Sequence, residues 1–197
     1  VVAGYLGDFR FPLLQTRARA VRAQLAKNGA RYILAFADEN SGDDARWYAG
    51  HDFMRESYAF LLERVLAEPW FGLLIKPKTP STLRRRLGPV DALLERALAT
   101  GRCAVLGGGE LHVHGVTPVA LAALASDVFL QEHFGGSAAV EAALAGVRTL
   151  LFDREGYPKT LLHRLEKGKV IFYSREALWQ ACKEDFQRDG KLPGFGD

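Results

Sequence analysis

The chain has 197 residues, 48% of them apolar and 25% charged, which is enough to bury one sizeable core and too apolar for a disordered segment. Its 26 Lys and Arg against 23 Asp and Glu give a formal charge of +3, spread along the chain without forming a stripe. That pattern argues against nucleic acid as a partner and is compatible with peripheral contact to an anionic membrane. Cys103 and Cys182 are far apart with no CxxC spacing, so neither a zinc site nor a disulfide framework is expected. No apolar run approaches the roughly 20 residues that span a bilayer, and a cytoplasmic location is expected, extending to the inner face of the membrane. The chain starts at Val1 and its single methionine is Met54, so it is expected to be a piece of a longer protein.

In chain order, Leu13 to Asn28 carries Leu14, Ala18, Val21 and Leu25 three or four residues apart, which predicts an amphipathic helix closed by Asn28-Gly29. Tyr32 to Ala37 is an unbroken apolar run of strand length, as in a buried parallel strand. A polar loop from Asp38 to about Gly50 precedes a helix from Asp52 to Ala67. Phe71 to Ile75 reads as a strand, Ser81 to Thr100 as a helix interrupted near Gly88-Pro89, and Cys103 to Leu106 as a strand. A glycine loop at 107–109 and a short helix from Pro118 to Ala125 follow. The remaining strands are Val128 to Gln131, Thr149 to Phe152 and Val170 to Tyr173, separated by helices from Ser137 to Ala145 and Tyr157 to Lys167 and closed by Arg175 to Arg188. Strands alternating with helices predict a doubly wound, Rossmann-like α/β fold: a parallel sheet of about six strands with helices on both faces. In the common order 3-2-1-4-5-6, the loops after Ala37 and Gln131 face each other across the crevice where ligands bind.

Several groups in these loops carry chemistry. In His133-Phe134-Gly135-Gly136-Ser137-Ala138-Ala139-Val140-Glu141, a strand runs into a glycine pair, a hydroxyl residue suited to capping a helix, and a carboxylate one turn later. Free N–H groups and the helix dipole suit a phosphate, and Glu141 can accept hydrogen bonds from ribose hydroxyls; a capped surface helix with a solvated glutamate is the competing reading. Lys76-Pro77-Lys78 leaves the second strand at its carboxyl end, where Lys76 is either a phosphate ligand or part of a solvated basic turn. His112 and His114 share one side of an extended segment, but no third ligand converges on them and no metal is expected. The acidic loop Asp38-Glu39-Asn40-Ser41-Gly42-Asp43-Asp44 lacks the GxGxxG fingerprint of dinucleotide sites. Its acids are solvated, or serve as a base or cation ligand. Asp153 either approaches the same crevice or caps the helix after it.

With these residues in place, the chain resembles the C-terminal, donor-binding half of a GT-B glycosyltransferase, most like those of bacterial surface-carbohydrate and capsule biosynthesis. The likeness rests on Gly4 to Phe11 as the entry from an N-terminal half, Tyr32 to Ser41 as first strand and loop, and Ile75-Lys76-Pro77-Lys78 as the basic turn. It continues with Ser126-Asp127-Val128, Gly136-Ser137 through Glu141-Ala142, and Ala145 to Arg148. Lys78 replaces a usual histidine, Arg148 a usual proline, and the first loop is acidic where the family has glycines.

The resemblance implies a linker at residues 1–12 and a nucleotide-sugar-binding Rossmann-like domain at 13–197. It further implies that Glu141 holds donor ribose, that Ser137, Gly136, Gly135, Lys76 and His133 surround the donor, and that the 106–115 loop lies beside the base. The nucleotide sugar is then a substrate and no separate cofactor is needed. A glycan or lipid-linked acceptor, the catalytic base and an N-terminal half come from outside this chain. A nucleotide-sugar 2-epimerase of the same architecture and a non-catalytic sugar-nucleotide-binding module are the alternatives.

Overall fold

The structure, a computed structural model, describes residues 5, 7–43, 50–107, 117–132, 136–154, 156 and 164–188. Helix α1 spans Arg10–Lys27, strand β1 Tyr32–Ala37, helix α2 His51–Ala67 and strand β2 Phe71–Lys76. Short helix α3 (Leu83–Leu87) and helix α4 (Asp91–Ala99), each preceded by a 3-10 turn, lead to strand β3 (Cys103–Val105). Helix α5 (Val119–Leu124), strand β4 (Val128–Glu132), helix α6 (Ser137–Leu144), strand β5 (Arg148–Phe152), strand β6 (Ile171–Phe172) and helix α7 (Arg175–Gln187) complete the described chain.

All six strands are parallel in the order β3-β2-β1-β4-β5-β6, so the expected doubly wound sheet is present and its strand order reverses between β1 and β4. Every residue of β1 and β2 is buried, because helices cover both faces of a parallel sheet. On one face Phe36, Leu73, Ile75 and Leu130 pack with Tyr58, Leu62 and Trp179. On the other Ile33, Ala35, Leu74 and Phe129 pack with Leu14 and Ala18 of α1 and Leu121 of α5. Parallel pairing sets Ala37 opposite both Lys76 and Gln131, and residues in register point to the same face. Lys76 and Gln131 therefore leave the carboxyl edge together, on the side of α1 and α5.

Two element boundaries differ from the sequence expectation for local reasons, and the expected interruption near Gly88-Pro89 is present. Helix α1 begins at Arg10, three residues before the apolar period starts, because Pro12 falls in its first turn, where its missing N–H costs no hydrogen bond. The break at Gly88 is real, with a φ of +55° that glycine adopts at little cost. The helix expected to reach Lys167 does not: Lys167 forms a bridge with Ile171, and Gly168 turns the chain at a φ of +75°. Residues 157–163 of that expectation lie outside the described part of the chain.

The amino edge of the sheet is closed by a buried polar knot. Asp185 of α7, 1% exposed, accepts a hydrogen bond from the Tyr32 hydroxyl at 2.7 Å and pairs with Arg148 at 2.6 Å. Trp70 stacks on Phe186 at 4.2 Å beside it, so α7 is fastened to β1 and β5 by both charge and ring packing. Asp185→Ala strands a buried hydroxyl and a guanidinium, and we expect a loss of about 3 kcal/mol in urea unfolding. A loss below about 1 kcal/mol would show that α7 is held by its apolar face alone.

Candidate functional site

The crevice at the carboxyl edge is built from the loop after β1, the loop after β2, the end of β4 and the amino ends of α5 and α6. On the α2 side, Asp38 is buried and paired with Arg86 at 2.9 Å. It also accepts hydrogen bonds from the Tyr58 hydroxyl at 3.1 Å and from the backbone N–H of Lys78. Burial pushes the Asp38 carboxyl up from its ordinary value, against the pull of Arg86. Asp38 is thus neither a solvated loop acid nor a free base. It ties the β1 and β2 loops into one unit, reinforced by Thr79 donating to Asn40 at 2.9 Å.

On the α1 and α5 side, Lys76 is only 9% exposed. Its Nζ donates to the carbonyl of Pro77 at 3.3 Å, and among the described residues it has no carboxylate within ion-pair distance. Burial lowers its pKa, while the charges of Asp38, Glu141 and Glu39 pull it back up. A buried ammonium with one carbonyl partner is costly unless an anion completes it. The solvated basic turn therefore does not describe Lys76; it does describe Lys78, whose half-exposed Nζ pairs with Glu39 at 2.6 Å.

Glu141 is half-buried and engaged. Its Oε1 accepts from the backbone N–H of Ala120 at 3.1 Å, so it caps the first turn of α5 from one turn inside α6. The hydroxyl of Tyr5 also faces this carboxylate, and burial followed by the Glu141 charge raises the tyrosine's pKa. A carboxylate accepts about four hydrogen bonds, so the cap leaves capacity for a ligand hydroxyl.

Ser137 departs from its expected role. The N-cap of α6 is Gly136, held at a φ of +61°, and no side chain caps the helix from that position. Ser137 is the first helical residue and is exposed. The left-handed turn that swings the chain into α6 needs glycine, which displaces serine from the cap by one position. The cap comes from an unexpected residue: Gln131 at the end of β4, 1% exposed, accepts from the N–H of Ala139 at 2.6 Å and donates to Glu39 at 2.9 Å. No acceptor for the N–H groups of Ser137 and Ala138 occurs among the described residues.

Lys76, Gln131, the amino end of α6 and Glu141 thus lie on one side of the crevice, while Asp38 and Arg86 brace it from the other. Asp153, at the end of β5, accepts from the N–H of Gly156 at 3.0 Å, a local turn contact. His133, Gly135, His112, His114 and the loop from 108 to 115 lie outside the described residues.

Glu132 carries no motif in the sequence and is the most perturbed acid of the region. It is buried beneath Ser57, Phe60, Phe152 and Arg175, and burial raises its pKa to about 8 despite Ser57 and Arg175. Arg175 is held there by Ser57 at 2.8 Å, by Glu56 at 3.2 Å and by the Phe152 ring at 4.9 Å.

No protein-family profile and no curated protein matches this chain. Among solved structures it superposes on the C-terminal domain of LpcC, a glycosyl transferase group 1 family protein of Francisella tularensis, with a TM-score of 0.52 and 12% identity. The match covers 87% of this chain and 82% of that one. The shared property is the fold, that of the Rossmann-like C-terminal half of a GT-B glycosyltransferase.

Proposed function

We propose that this chain is the donor-binding half of a nucleotide-sugar-dependent glycosyltransferase, with a role in bacterial surface polysaccharide synthesis. The observation that carries the reading is Lys76, a buried lysine without a carboxylate partner among the described residues, at the sheet edge that also presents the α6 amino end and Glu141. The donor's diphosphate lies against the N–H groups of Ser137 and Ala138, which have no acceptor among the described residues, with Lys76 neutralising it. Glu141 receives the ribose hydroxyls. As the glycosidic bond breaks, charge grows on the departing diphosphate, and a fixed dipole with a buried ammonium stabilises it there. The acceptor and the group that takes its proton belong to an N-terminal half.

The test is a calorimetric titration with UDP-, GDP-, CDP- and CMP-linked sugars. Lys76→Met is expected to weaken binding of the preferred donor at least tenfold while leaving stability equal or raised by about 1 kcal/mol, because the unliganded ammonium is buried at a cost. Glu141→Gln keeps an acceptor for the Ala120 N–H and removes only the charge, with an expected loss of roughly three- to tenfold. Binding of no donor by the wild type, or equal affinity in both variants, would defeat the reading. The likeness of fold also admits a 2-epimerase, which product analysis with the full-length protein separates from transfer.

A further inference from the structure

We propose that Gln131 is a positioning residue that holds the negative charge of Glu39 away from the amino end of α6, keeping that end open to an external diphosphate. The inference rests on the donor-site reading above. It starts from hydrogen-bond polarity: the Ala139 N–H is a donor and the Glu39 carboxylate an acceptor, so only one orientation of the Gln131 amide satisfies both, Oε1 to Ala139 at 2.6 Å and Nε2 to Glu39 at 2.9 Å. At 1% exposure the amide has no water to satisfy either half.

The consequence is electrostatic. Helix α6 has no acidic residue in its first turn and no side-chain cap from its N-cap residue. Among the described residues only the neutral amide of Gln131 meets its positive end, although Glu39 is one side chain away. A carboxylate satisfies a helix amino end better than a neutral amide does. Gln131 takes the helix contact itself and turns its NH2 toward Glu39, whose second oxygen is held by Lys78 at 2.6 Å. Lys76, buried and without a carboxylate partner among the described residues, leaves β2 on the same face as Gln131, with only Ala37 of β1 between them, and is an independent sign that this edge serves an anion.

The decisive variant exchanges the pair. In the double substitution Glu39→Gln with Gln131→Glu every hydrogen bond can be remade. The carboxylate now carried at position 131 accepts from the Ala139 N–H and from the amide at position 39, whose oxygen in turn accepts from Lys78. Net charge is unchanged, and only the position of the negative charge moves, onto the helix end. Calorimetry with inorganic pyrophosphate should show at least a tenfold loss of affinity, with the far-UV circular dichroism and melting curve of the wild type retained. Equal affinity in the exchanged pair would overturn the proposal, since a merely structural amide would tolerate the exchange. Gln131→Met provides a second arm should the exchanged pair not fold: it frees Glu39 to reach the helix end, with an expected loss of about fivefold, and unchanged binding again overturns the idea. Nucleoside diphosphates run in parallel separate the two claims. A wild type that binds pyrophosphate but no nucleoside diphosphate defeats the donor reading and leaves Gln131 to be judged by its variants; a wild type that binds neither defeats both.

Discussion

Arg86→Met is expected to destabilise the chain by about 3 to 5 kcal/mol, because it leaves the Asp38 carboxylate buried with its neutral partners alone. Arg86 is 4% exposed and reaches beyond Asp38, to the Thr82 hydroxyl at 3.2 Å and the Glu39 carbonyl at 3.4 Å. Its loss loosens the first loop as well as removing a charge. The sign of the pH dependence follows from Asp38, whose folded pKa is already raised by burial and rises further without the guanidinium. The deficit is therefore full above the variant's folded pKa and shrinks as the pH falls and the carboxyl takes up a proton. Urea unfolding at several pH values reads this directly. Asp38→Asn in the Arg86→Met background removes the stranded charge and is expected to recover at least half of the loss. A deficit independent of pH and not recovered by Asp38→Asn would mean that Arg86 matters for its packing and not for its charge.

Glu132→Gln is expected to act in the opposite direction. The carboxyl titrates at about 8 in the folded chain against an ordinary value of 4.5, so the native state holds its proton where the unfolded state has lost it. Stability contributed by that proton is complete below about pH 4.5 and is lost progressively as the pH rises to about 8, where the loss levels off. A span of this size corresponds to roughly 3 to 5 kcal/mol. Glutamine keeps an amide for Ser57 and has no proton to lose, while Arg175 retains Glu56 at 3.2 Å. The variant should thus match the wild type near pH 5 and exceed it near pH 9, flattening the profile between. A Glu132→Gln protein no more stable than wild type at about pH 9 would show that Arg175 and Ser57 hold Glu132 ionised.

Those buried groups mark the limit of what the sequence reveals. The apolar runs Tyr32 to Ala37 and Phe71 to Ile75 could be assigned to a parallel sheet because strands covered on both faces carry no polar alternation, and both are fully buried. Regular alternation pointed to a doubly wound parallel sheet, which places Lys76 and the turn before Glu141 at the carboxyl edge, and the order common to such sheets is the one observed. The partners of these residues were not legible. Nothing in Arg84-Arg85-Arg86 distinguishes the buried arginine from the exposed Arg84, because the difference is helical phase set by a 3-10 turn and the break at Gly88. Gln131 ends an apolar strand with no motif around it, and its role depends on Glu39, 92 positions away. Ser137 is the natural choice of cap by residue type, yet the handedness of the entering turn gives the position to Gly136. Glu141 is legible as a carboxylate one turn inside the helix, but its hold on the Ala120 N–H comes from the packing of α5 against α6.

If the diphosphate of a nucleotide sugar binds between Lys76 and the amino end of α6, the backbone amides around it must report its arrival. Amide chemical shifts of the ¹⁵N-labelled chain, followed as the preferred nucleoside diphosphate is added, read that location most directly. The largest shifts are expected at Gly136, Ser137 and Ala138, with smaller ones at Lys76 and Ala120, all saturating with one affinity. Shifts centred instead on the open hollow of about 350 Å³ between Pro80, Leu83, Leu94 and Val105 at the β3 edge, or no shifts at saturating nucleotide, would contradict it.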